Sequence, residues 1–126
     1  MALFSSDSII LCYSNVDAGK RWWIETFGCK AAKLPDWDNP LPSDIALTLP
    51  GNDEPTILLS DQTEMRQAGL DAPTTVPIIF CSKLQKAYEY VSARGIMAGP
   101  IQDGGDTQFF EIRDAEGNNI EICAEP

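Results

Sequence analysis

The chain contains no histidine, and that absence removes the imidazole on which most catalytic zinc sites and many proton relays are built. Basic residues are scarce as well: nine lysines and arginines stand against nineteen aspartates and glutamates, for a formal charge of -10. Such a balance repels nucleic acid and anionic membrane surfaces, and leaves cationic or neutral small molecules as the easier partners. No apolar run approaches the length of a membrane span. The opening stretch, MALFSSDSII, lacks the positive flank and long apolar segment of a secretory signal. Four cysteines are present, but Cys12, Cys29, Cys81 and Cys123 have neither metal-ligand nor redox spacing. Free thiols in a reducing cytoplasm are therefore expected.

What remains is enough for one core. At 126 residues, 44% of them hydrophobic, the chain suits a single domain and is too short for two independent ones. Its most informative stretch is RDAEGNNIEIC, residues 113–123. Asp114 to Asn118 supply a side chain that bonds local backbone and two residues that tolerate positive φ, which predicts a tight turn between two strands. Beyond the turn, polar and apolar residues alternate. A period of two puts Ile120 and Ile122 on one face and Asn119, Glu121 and Cys123 on the other.

Two amphipathic helices are predicted. The first follows the strand SIILCY with Asn15 or Asp17 as its cap, carries Val16, Trp23 and Phe27 on one side, and stops at Gly28. The second follows VPIIFC with Ser82 as its cap, repeats Leu84, Ala87, Tyr88 and Val91 at helical spacing, and stops at Gly95. Laying SNVDAGKRWW over SKLQKAYEYV matches Ser14 to Ser82, Val16 to Leu84 and Trp22 to Tyr90 at one constant offset. After each helix come three strand-like stretches: 29–36, 44–50 and 55–60, then 96–102, 107–113 and 119–124. The chain is thus an α+β fold made of two tandem βαβββ units, about 5–62 and about 74–126. The polar segment DQTEMRQAGLDAPTT joins them, with residues 63–73 as the linker.

This order, together with NVDAGKRWWIETFG and the hairpin RDAEGNNIEI, resembles the vicinal oxygen chelate superfamily of glyoxalases, extradiol dioxygenases and bleomycin resistance proteins. The resemblance implies curled mixed sheets whose concave faces line a site, and a homodimer. It also implies a divalent metal held from the first strand of a unit and the last. Matched by motif, those positions fall on Ser8, Val76 and Glu121. A hydroxyl and a valine cannot replace two imidazoles, so no metal and no other cofactor is expected. Asp61 and Glu64, near the end of the first unit's last strand, are further oxygen donors but restore no imidazole.

If Glu121 faces the cup, strand alternation brings Ser8, Ile10 and Cys12, Val76, Ile78 and Phe80, and Asn119 to the same wall. An apolar wall with one acid and one amide is the composition of a small-molecule site, although aliphatic strand residues also fill cores by default. Trp37, in LPDWDNPLPSD, is placed on a loop at the rim, where acids beside an indole suit a cation. Trp22 and Trp23 are read as core or subunit contacts. Cys12 and Cys123 share the inward parity, and without a histidine base they read as small hydrophobes. Three functions stay open at this level. One is a metal-independent binder that sequesters a cationic or apolar ligand. Another is a lyase, isomerase or dioxygenase-like enzyme using Glu121 as base or as part of an oxygen-only metal site. The third is a structural dimer with a filled cup.

Overall fold

The computed structural model describes residues 2–36 and 40–125. In chain order these form β1 (Phe4–Ser5), β2 (Ile9–Tyr13) and α1 (Val16–Arg21), which widens into a π-helical segment over Trp22–Phe27. Next come β3 (Lys30–Ala32), β4 (Ile45–Thr48), β5 (Ile57–Asp61) and α2 (Gln62–Gln67). The remainder is β6 (Ile78–Cys81), α3 (Leu84–Ala93), β7 (Gln102–Asp103), β8 (Gln108–Arg113) and β9 (Asn119–Ala124). Two mixed sheets result, ordered β2-β5-β4-β3 and β1-β6-β9-β8-β7. The β2–β5 and β6–β9 pairs are parallel and all other pairs antiparallel.

Alternation along the strands decides what these sheets bury. Ile9, Leu11 and Tyr13 of β2, Ile79 and Cys81 of β6, and Ile120 and Ile122 of β9 all enter one core with Trp23, Phe27, Ala87 and Val91 of the helices. Of the two caps the sequence offers for the first helix, Asn15 and Asp17, Asn15 holds the position, its side chain accepting from Ala18 N at 3.0 Å. Its widened last turn brings both Trp23 and Phe27 to full burial, while Trp22 packs partly buried against the same core. Gly28 ends it at φ 96°, and a side chain there would meet the Tyr90 hydroxyl at 2.6 Å, where that hydroxyl donates to Phe27 O. The helices of the two units are thereby tied together.

Four local features depart from the sequence-based expectation. The end of the first unit and the start of the linker, Gln62–Gln67, form α2, whose cap is the Asp61 carboxylate accepting from Glu64 N. The stretch 96–102 yields only a single bridge, Ala98 to Ile112, and the two-residue β7, because Pro100 has no N–H to continue a ladder. Ser82 is not the cap of α3. Lys83 holds that position without a side-chain bond, and Ser82 N donates to Leu3 O. Finally, β1 leaves its own unit and pairs antiparallel with β6 of the other, Phe4 opposite Cys81.

The turn after β8 clamps the two units. Asp114, buried on its turn, accepts from Glu116 N and Asn118 N and also from the Tyr13 hydroxyl, which in turn accepts from Trp23 Nε1 at 2.8 Å. Burial, reinforced by the Asp114 charge, pushes the Tyr13 phenol far up, so it stays a donor at any working pH. Glu116 accepts from Ser14 N, Ser14 Oγ and Asn15 N at the start of the first helix. Desolvation works against its charge, but these three bonds prevail and hold its carboxyl below the ordinary 4.5. A depressed carboxylate contributes stability that is present above the unfolded pKa and lost as pH falls through the folded one. Glu116→Gln should therefore unfold at lower denaturant than the parent at about pH 7, and the gap should close at about pH 3. An equal gap at both values would show that its charge plays no part in the clamp.

Candidate functional site

The pleat that buries one face of β2 and β6 turns the other outward. Ile10 is 48% exposed while Ile9 beside it is 8% exposed, and Val76 and Ile78 are exposed at 45% and 39%. Ser8 is exposed too, and Cys12 and Phe80 are half-buried. None of Ile10, Val76 and Ile78 belongs to the core. Two adjoining hollows open on this wall. One, of about 370 Å³, is lined by Ile10 and Cys12 facing Ala72, Pro73, Thr75 and Val76, with Gln62, Glu116, Asn118 and Asn119 supplying polar groups. The other, of about 380 Å³, is lined by Ser8, Ile10, Val76, Ile78 and Phe80 with Pro73 and Pro77.

Glu121 is half-buried and lines neither hollow, but it sits in the row between them and the β8 side of the sheet. Its parallel partner is Ile78 and its antiparallel partner is Glu111. Directly paired residues on adjacent strands share a face, with Cβ atoms about 4.5–5.5 Å apart, so the two acids project from neighbouring positions of one face. Two residue pairs further along, Arg113 faces Asn119, and its guanidinium donates to Gly117 O at 3.0 Å. Glu111, Arg113 and Asn119 also line a third hollow of about 250 Å³ with Met97 and Gly99. Asn119 thus borders both the first and the third hollow.

The structure also separates residues that the sequence grouped. Cys123 is buried, whereas Cys12 borders the first hollow. Desolvation raises the pKa of both thiols, and the charges of Asp61 and Glu116 raise that of Cys12 further, which keeps it protonated and apolar in character. Trp37 lies outside the described residues. Glu111 was missed by sequence reasoning, although QFFEIR alternates and would have put Phe109, Glu111 and Arg113 on one face. Gln62 and Thr75 were missed because their positions depend on how the joining segment folds back along β2.

No protein-family model matches the chain, and no curated protein matches it in sequence. Its fold is nevertheless that of the glyoxalase/bleomycin resistance protein/dioxygenase superfamily. A member from Sphaerobacter thermophilus superposes with a TM-score of 0.71 at 14% identity, covering 96% of this chain and 98% of the other. TioX from Micromonospora sp. ML1 gives 0.67 at 18% identity, covering 97% and 100%. TnmS3, an antibiotic binding protein from Streptomyces sp. CB03234, gives 0.67 at 17% identity, covering 100% and 99%. These superpositions establish the shared fold with its two curled mixed sheets.

Many proteins of this fold hold a divalent metal, and the donors present here do not fit one. Of the three ligand positions, Ser8 offers a hydroxyl, Val76 nothing, and Glu121 a single carboxylate. The further oxygen donors are engaged elsewhere: Asp61 caps α2, and Glu64 accepts from both Ser43 N and Ser43 Oγ. Among the described residues, no three histidine, cysteine, aspartate or glutamate side chains converge as a metal-holding group. Purified protein is expected to carry well under one equivalent of zinc, iron, nickel or manganese by elemental analysis, unchanged by Glu121→Ala. A stoichiometric metal lost in that variant would contradict the assignment.

Proposed function

We propose that the chain is a metal-independent small-molecule-binding protein that sequesters a ligand with an apolar body and a cationic group. The observation that carries this is the juxtaposition of an exposed aliphatic wall, Ile10, Val76 and Ile78, with the paired carboxylates Glu111 and Glu121 on the same side of the sheets. The wall supplies affinity by leaving water, and the acids orient a positive group. The formal charge of -10 favours such a ligand at long range. The antibiotic-binding name of TnmS3 lends support from a protein of like fold. We place the protein in a reducing cytoplasm, which its four free cysteines suit.

A thermal-shift screen of basic, neutral and acidic apolar compounds finds the ligand class, since any compound preferring the native state stabilises it. Basic compounds should give the largest shifts. For the best of them, Glu121→Gln keeps the side chain's size and hydrogen bonding but removes its charge. Affinity should then fall about ten- to hundredfold, the equivalent of about 1.5–3 kcal/mol for a charge-assisted bond, while an uncharged analogue of the same shape changes little. Stabilisation by acidic compounds alone would overturn the proposal.

Exposed apolar side chains, Met97 and Ile101 as well as those of the wall, support a two-fold homodimer whose interface helps to close the site. Sedimentation at micromolar concentration should give twice the chain mass, and a monomer there would count against it.

A further inference from the structure

The two units treat the edge of their first strand differently. In the second unit, β6 lies between β9 and β1, so both of its edges are paired. In the first unit, β2 pairs among the described residues only with β5, and none of them pairs with its outer edge. The offset that lays Ser14 on Ser82 also lays Phe4 and Ser5 on Ala72 and Pro73, and the strand they pair with, Cys81 and Phe80, on Tyr13 and Cys12. Internal symmetry thus predicts that residues 72–73 should pair with β2 as β1 pairs with β6. They do run alongside it, but no ladder forms. Pro73 has no N–H to give, and a hollow of about 370 Å³ lies between Ala72–Val76 and the Ile10–Cys12 segment. Downstream, Pro77 O accepts from Glu121 N, so the joining segment is fixed to β9 rather than to β2.

Which backbone groups face this hollow follows from the ladder. Ile9 N donates to Thr56 O at 2.7 Å, so in the parallel β2–β5 pair Ile9, Leu11 and Tyr13 point their backbone groups toward β5. The N–H and C=O of Ile10 and Cys12 therefore point the other way, into the slot. Unpaired strand edges of this kind are templates for an added strand. Residues 72–76 form the far wall of the hollow, opposite the Ile10–Cys12 edge. Gln62, Thr74, Thr75 and Asn118 around the hollow can satisfy amide groups that do not reach β2.

We propose that this slot binds an extended, amide-bearing segment of the ligand, which pairs with the backbone of Ile10 and Cys12 as β1 pairs with β6. The matching ligand is peptide-like, with hydrogen-bonding groups repeating at about 7 Å, the rise of two residues along a strand. This names a ligand class for the wall already described and rests on the small-molecule reading of it.

The test uses an acetylated, amidated tetrapeptide of alternating lysine and valine, and a set of versions N-methylated at one amide each. Binding should shift the backbone amide resonances of Ile10 and Cys12. N-methylation at alternate amides, those facing β2, should weaken affinity by about tenfold or more, and methylation of the others should leave it within about twofold. A peptide that fails to bind, or that loses affinity equally at every amide, would overturn the slot. An apolar amine without amide groups, run in parallel, separates the two proposals. Amine binding without peptide binding leaves the wall standing and removes the slot, whereas binding of neither removes both. Peptide-induced shifts confined to Ile78 and Glu121 likewise contradict edge pairing.

Discussion

The strand pleat governs everything that faces a ligand in this molecule. In β2, and likewise in β6 and β9, alternate residues must point to opposite sides, and the core takes one set. With Ile9, Leu11 and Tyr13 committed to the core, Ile10 and Cys12 have to face the other way. With Ile79 and Cys81 committed, so do Ile78 and Phe80. The core cluster draws on both sheets and both long helices, so neither unit could release its inward set without losing its partner's burial. Exposed aliphatic side chains here are the geometric counterpart of a well-filled core, and their clustering on one wall is what makes them a candidate site.

The hairpin motif that stands out in the sequence serves architecture more than chemistry. Asp114 organises its own turn and accepts from the Tyr13 hydroxyl beneath it, while Glu116 accepts from Ser14 and from the backbone of Asn15, the cap of the first unit's helix. Both acids are thus spent in holding the units together. Glu121, five residues further on, faces a different surface and stands opposite a second acid. A motif of two structural acids and one outward acid explains how the fold can persist where the histidines of a metal site are absent. The clamp needs none of them.

Much of this was legible in the sequence because the governing signals are local. Period-two alternation set Ile10, Ile78, Asn119 and Glu121 apart from the core residues of their strands, as the structure does, and a cap at Asn15 or Asp17 with the Gly28 stop bounded the first helix. What escaped depends on long-range pairing. The crossing of β1 to β6 and the register that sets Glu111 against Glu121 are set by how the sheets assemble, which no short window encodes. The short α2 and the loss of a strand around Pro100 show local chemistry overriding a coarse pattern. Gln62 and Thr75 reach the first hollow only because residues 72–77 fold back along β2.

The central claim is that the outward wall, rather than the core or another surface, is where a ligand sits. Methyl resonances of isoleucine-labelled protein test it directly, because isoleucines lie on both sides of the same strands. Titration with a basic apolar compound should shift Ile10 and Ile78 while Ile79, Ile112 and Ile122 stay nearly fixed. Shifts spread through the core isoleucines, or saturable binding that leaves Ile10 and Ile78 unmoved, would contradict the account.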